Sequence, residues 1–227
     1  MLLGLLAAAA LAATPTPDRP HVSRSGYLVA PSTLEMEAGA SWSEAGHAAP
    51  ALVKYAFEDY VEGRIGVDLA SLDGAPSLEA GTKIRIVNNE DVGLAAYLAS
   101  AVPTSSRERW HGTVQGLLTI PFEPAYVQLN AGALLVGAPG GVRFGGMPLA
   151  ALAGVGFGRT FTGFAEVAAL AGGECQGAMC QGLVDVGVGW LLTDILRVDA
   201  GVGWDLDWGG PRVQAGLAAN LGRFRAL

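Results

Sequence analysis

The sequence predicts an all-β protein, a transmembrane antiparallel up-and-down β-barrel of about 12 strands. Three observations predict it. Successive segments alternate strictly between apolar and polar side chains, the period of a strand with two different faces. Every charge inside those segments falls on the polar face. The chain is also poor in charge, with 15% charged against 51% hydrophobic residues, where soluble domains carry roughly 25% charged. A soluble protein so composed has little to cover its surface, whereas a wall facing lipid needs no charge.

The chain of 227 residues suits one all-β domain. Residues 1–13, Met-Leu-Leu-Gly-Leu-Leu and an alanine-rich run, read as a secretory signal peptide. Ala10 and Ala12 offer an A-x-A-like cleavage point before Thr14-Pro15. Residues 14–32 carry Asp18, Arg19 and Arg24 among prolines and read as a periplasmic lead, the alternative being a segment folded into the lumen with Arg19 and Arg24 against Glu35 or Glu37. Residues 33–227 form the barrel.

Strand one, 33–42, sets Leu34, Met36, Ala38, Ala40 and Trp42 on one face and Glu35, Glu37, Gly39 and Ser41 on the other. Strand two, 52–57, carries Lys54 on its polar face. In strand three, 61–69, Val61, Gly63, Ile65, Val67 and Leu69 oppose Glu62, Arg64, Gly66 and Asp68. In strand four, 78–86, Leu78, Ala80, Thr82, Ile84 and Ile86 oppose Glu79, Gly81, Lys83 and Arg85. Weaker alternation marks 94–101, 110–120, 127–135, 149–157, 164–171, 183–192 and 213–221. Two of these, 94–101 and 149–157, are alanine-rich enough to be helical by propensity, and their strand neighbours decide for strands. In 196–206, Leu196, Val198, Ala200, Val202, Trp204 and Leu206 oppose Arg197, Asp199, Gly201, Gly203 and Asp205.

The connections alternate in length. Glu58-Asp59, Thr193-Asp194 and 121–124 are short, while 43–50, 70–77, 103–108, 137–148 and 172–182 are longer and rich in Gly, Pro and Ser. Short periplasmic turns and longer outer loops are the expected asymmetry. Trp42, Trp110 and Trp204 then fall at the outer interface, and Phe57, Phe157 and Trp190 at the inner one, as two aromatic girdles.

The candidate site is the lumen. Its lining is read as Glu35, Glu37, Lys54, Glu62, Arg64, Asp68, Glu79, Lys83 and Arg85 on the early strands. His111 follows mid-chain, and Asp185, Arg197, Asp199 and Asp205 near the end. Charges alternating in sign across neighbouring strands either select solutes by their field or satisfy one another. His111 has no positioned nucleophile nearby in sequence, only Ser105 and Ser106 in a loop, so no catalytic residue is assigned and the protein is read as no enzyme. No metal site or cofactor is assigned, since His21 and His47 give no ligand spacing and two thiols without a nearby His make a poor zinc site. A net charge of −7 gives no basic stripe for nucleic acid. The expected partners are outer-membrane lipid and a small-molecule solute.

Two stretches resemble a known family. One runs from Asp18-Arg-Pro-His-Val-Ser-Arg-Ser-Gly-Tyr-Leu-Val-Ala-Pro31 into Leu34-Glu-Met-Glu-Ala-Gly39, and the other is Ala51-Leu-Val-Lys-Tyr-Ala-Phe-Glu-Asp-Tyr-Val-Glu-Gly-Arg64. Together they are similar to the first strand and second hairpin of the outer-membrane β-barrel transporters grouped under the MetA pathway of phenol degradation. Pro31-Ser32 stands where that family has Pro-Gly, and Lys54 where Arg is commoner. The resemblance implies a bacterial outer-membrane channel or transporter for passive passage of small solutes, aromatic or hydrophobic ones among them. The alternative is a structural or surface-binding barrel without transport activity.

Cys175 and Cys180, a C-x4-C pair in an exported chain, are expected to form a disulfide stapling an outer loop. A thiol reagent applied to intact cells should therefore modify them only after reduction. Labelling of untreated protein would rule the bridge out.

Overall fold

A computed structural model describes residues 15, 18, 23–44, 46–69, 76–104, 109–172, 182–207 and 209–223. Its elements are β1 (Thr33–Ser43), β2 (Gly46–Ala48), β3 (Pro50–Glu58), β4 (Val61–Asp68), β5 (Ser77–Asn88), β6 (Gly93–Pro103), β7 (His111–Phe122), β8 (Ala125–Ala138), β9 (Gly141–Phe157), β10 (Phe161–Ala171), β11 (Leu183–Thr193), β12 (Leu196–Asp205) and β13 (Gly210–Arg223). Each strand pairs antiparallel with the next, and β13 returns to pair with β1, closing the sheet. Short β2 and β3 are two halves of one stave, because both pair with β1 in a single register. Pro50, which has no N–H to give the ladder, marks the break between them. The result is a closed barrel of twelve staves.

Among the described residues no helix is long and apolar enough to cross a membrane. The apolar surface lies on the strands instead. Their outward rows are apolar and exposed: Met36, Ile65, Ile86, Val114, Val186, Val202 and Leu217 all project from the wall. Aromatics mark the two rims. Phe57, Tyr60, Phe122, Phe157, Phe161 and Trp190 lie beside the short turns, with the Phe161 and Trp190 rings stacked at 5.6 Å. Trp42, Trp110 and Trp204 lie at the opposite rim. Such girdles suit the two interfaces of a bilayer, where amphipathic rings rest at headgroup level.

One rim carries turns of two to four residues, at 59–60, 89–92, 123–124, 158–160 and 194–195. The other carries the longer connections, with two corrections to the sequence reading. Residues 43–50 are not a loop, since Gly46–Ala48 continue the ladder of β1. Nor are residues 137–148. There β8 and β9 run on as a long hairpin, and the turn is only Pro139-Gly140, with proline fixing its first corner and Gly140 taking φ +87° at the second. A bulge between Leu134 and Leu135 hides this hairpin in the sequence, because it shifts the outward row of β9 from Val142 and Phe144 to Met147 and Leu149. The alanine-rich stretches are strands, in β6 and β9, as their neighbours required. Cys175 and Cys180 lie outside the described residues.

Arginine in place of an outward side chain near mid-strand should cost about 2–4 kcal/mol of bilayer stability. Val202→Arg is expected to show that loss as a lowered urea midpoint in lipid vesicles, with Val202→Ile unchanged. Equal midpoints for all three proteins would refute the lipid-facing assignment.

Candidate functional site

Register decides which lumen charges meet. On β1, β3, β4 and β5 the inward residues Glu35, Glu37, Lys54, Glu62, Arg64 and Lys83 are all buried. Glu35 stands opposite Lys54, and Glu62 opposite Lys83. Lys54 and Arg64 also stand opposite each other, a like-charge pair that would repel. Acids on either side draw them apart. Lys54 Nζ lies 2.5 Å from Glu35 Oε1 and pairs with Glu37 as well. Arg64 Nε lies 3.3 Å from Glu62 Oε1, and Lys83 Nζ 3.9 Å from the same oxygen.

The remaining partner of Arg64 and Lys83 comes from the N-terminal segment. Asp18 pairs with Arg64 and lies 3.5 Å from Lys83 Nζ. Pro31 is exposed at the rim, while part of the segment expected to trail outside as a periplasmic lead lies within the barrel instead. Pro15, Asp18, Ser23, Ser25, Gly26 and Val29 are buried there. Arg24 does not meet Glu35 or Glu37. Its guanidinium sits 4.5 Å from the centre of the Tyr97 ring, with Arg64 over the same ring at 5.3 Å. Tyr97 is fully buried, and its hydroxyl donates to Glu79 Oε1 at 2.7 Å. Arg19 lies outside the described residues.

An irregular backbone at membrane depth survives only where its N–H groups find acceptors. Here strand side chains supply them. The Asp18 N–H donates to Glu37 Oε1 at 2.9 Å, Ser23 to Glu166 Oε1 at 2.5 Å, Gly26 to Thr119 Oγ1 at 2.8 Å and Val29 to Glu62 Oε2 at 2.9 Å. Asn130 clamps Arg24 at two points, accepting its N–H at 2.5 Å and donating to its carbonyl at 2.8 Å. Gly26 passes so close to β6 that a Cβ there would sit 2.1 Å from the Gly93 carbonyl oxygen. Only glycine fits that crossing.

The other sequence-predicted lining residues are spread around the wall. Asp68 accepts the Ala49 N–H at 3.2 Å near the outer rim. Arg85, on β5, is half-buried opposite Ala95. His111 stands between Ala101 and Val136, neither of them a nucleophile. Asp185, Asp199 and Asp205 are buried on β11 and β12, while Arg197 is half-buried. Asp205 has Arg212 Nη1 at 3.9 Å. Asp185 stands directly opposite Glu166, a like-charge pair eased by Gln214 Nε2, which donates to Asp185 Oδ2 at 3.3 Å.

The sequence reading set Gln115 inward beside His111 but missed the rest of the uncharged lining, notably Tyr97, Thr119, Asn130 and Gln214. Thr119 shares the parity of His111, so the period of two could have found it. It also left out Glu166, although that residue lies on the polar face of β10. Asp18 and Arg24 carried no periodic signal.

No family model matches the chain, and no curated protein matches it. Solved structures do. The KdgM porin, in complex with disordered oligogalacturonate, aligns with TM-score 0.67 at 12% identity, over 83% of this chain and 99% of that one. The COG4313 outer membrane channel from Pseudomonas putida F1 aligns at 0.64 and 14% identity, over 90% of this chain and 100% of that one. The NanC porin aligns at 0.61 and 8% identity, over 83% and 100%. The chain thus has the closed antiparallel β-barrel fold that outer-membrane porins and channels share.

Proposed function

We propose that the protein is an outer-membrane channel for passive passage of small solutes, not an enzyme. The observation that carries this reading is the two-faced wall, a sheet without edges, apolar outside and charged inside. Apolar rows on a closed barrel suit lipid, and a charged interior suits a polar path across it. The barrel-fold neighbours are porins and channels, which supports the reading. The family resemblance of the first strand and second hairpin adds small aromatic or hydrophobic solutes as candidate cargo.

A specific observation favours the second reading, a structural or surface-binding barrel. The N-terminal segment occupies lumen that a solute would need, held by Asp18, Arg24 and the backbone bonds to Glu37, Glu166, Asn130 and Thr119. The two readings part on whether that segment leaves a path beside it.

Planar-bilayer recording separates them. The channel reading expects discrete conductance steps from the parent protein, with a shift in reversal potential when Glu35, Glu37, Glu62 or Glu79 is changed to Lys in a barrel that still inserts. Silent, fully inserted protein would move the structural reading to first place.

Gly26→Val tests the segment by itself. The clash with the Gly93 carbonyl should displace the backbone between Arg24 and Val29, raising amide hydrogen exchange there and enlarging the conductance step. Unchanged exchange in the folded variant would show that the segment does not depend on that crossing.

A further inference from the structure

The two sides of the lumen use their charges differently. On β1 to β5 every buried acid named above has a cation within ion-pair distance. On β11 and β12, among the described residues, no cation lies that close to Asp185 or Asp199. Asp199 is 5% exposed and Asp185 2%. Both oxygens of Asp199 and Oδ1 of Asp185 are buried without a hydrogen-bond partner. A buried carboxylate left so costs free energy unless something else completes it.

The surroundings say what would complete it. Asp199 has Gly189 on one side and Gly216 on the other, with Gly39 next in the same row, so neighbouring strands add no side chain beside it. The Arg197 guanidinium is the near cation, folded over Gly189, yet it makes no ion pair with Asp199. Further along β11, Asp185 leans over Gly203. Between these two carboxylates the ring of Phe164 lies over Gly187. At about 3.3 Å of rise per residue, the Asp199 row and the Asp185 row are about 13 Å apart along the strand, with the ring about 7 Å from each. Beyond Asp185, Ala150, Ala168 and Leu183 form a small buried apolar cluster on the same wall.

We infer that this wall is a binding site for a small organic ammonium ion with an aromatic or alkyl body, its head on Asp199 or Asp185 and its body against Phe164. This rests on the channel reading and gives it a substrate class. The carboxylates are strung along the wall, and among the described residues no three His, Cys, Asp or Glu side chains gather to hold a metal ion. An ammonium head brings the hydrogen-bond donors that the free carboxylate oxygens lack, and the ring offers its body an apolar face.

The test is calorimetric titration of the folded, full-length protein in non-ionic detergent with 2-phenylethylammonium chloride at low ionic strength. Saturable binding is expected. It should weaken at least about tenfold in the double variant Asp185→Asn/Asp199→Asn, the loss of a charge-assisted contact. It should weaken similarly when 2-phenylethanol replaces the amine. Asp194→Asn, in the 194–195 turn, should leave it unchanged. Heat-modifiable gel migration verifies that each variant is folded. Absence of saturable binding to folded protein overturns the inference, and so does equal affinity in the double variant or for the alcohol. Conductance without amine binding would sink this inference alone, and amine binding without conductance would sink the channel reading alone.

Discussion

The seam between β1 and β13 is the contact on which everything else in the barrel depends. In hydrocarbon an unpaired N–H or C=O costs several kcal/mol, and an open sheet would expose two whole edges of them. The pairing runs from Ser43 with Arg212 down to Thr33 with Arg223, so no length of edge is left over the span. Closure also gives the alternating pattern its meaning. Once the sheet is a cylinder, one parity faces lipid around the whole circumference and the other has nowhere to go but the lumen. Glu35, Lys54 and Glu62 are buried because they share that parity.

Burying charge in a narrow interior is expensive, and ion pairing returns the cost only where geometry is good. On the β1 to β5 side the solution is crowded pairing, and it is incomplete without a residue from outside the sheet. Arg64 and Lys83 share Glu62, and Asp18 supplies the second carboxylate. Arg24 adds a cation a few residues later, stacked on Tyr97. The described residues of the segment therefore bring one charge of each sign into the wall. Ion pairing and backbone satisfaction are coupled in it, because Glu37 and Glu62 hold both a cation of the wall and an N–H of the segment.

The parts legible in the sequence were those with a local period. Strands one, three, four and eleven could be read from their side chains alone, since a half-buried strand must alternate and each charge confirms the parity of its neighbours. Legibility failed where the period broke. In β9 the bulge at 145–146 moves the outward row by one residue, so Gly141, Gly145 and Gly146 read as loop composition although they sit in a strand. In the stave of β2 and β3 the proline at position 50 mimics a loop, while the register continues on both sides of it. The N-terminal segment was the least legible. Ser23 meets Glu166 across 143 positions of sequence, and that proximity exists only once the barrel has closed. Nothing periodic within 14–32 announces it. The unpaired state of Asp199 was equally invisible, because pattern reveals which way a side chain faces and not whether a cation reaches it.

The segment that lies in the lumen is also the chain that leads directly into β1. Covalent attachment through a few residues turns its docking into an intramolecular event, at an effective concentration on the order of millimolar for a short tether. Contacts too weak to hold a free peptide of the same sequence can then keep the lumen occupied most of the time and still let go briefly. A single peptide-bond cleavage just before Thr33 would leave every one of those contacts chemically intact and still lower the segment's occupancy of the barrel, by dilution.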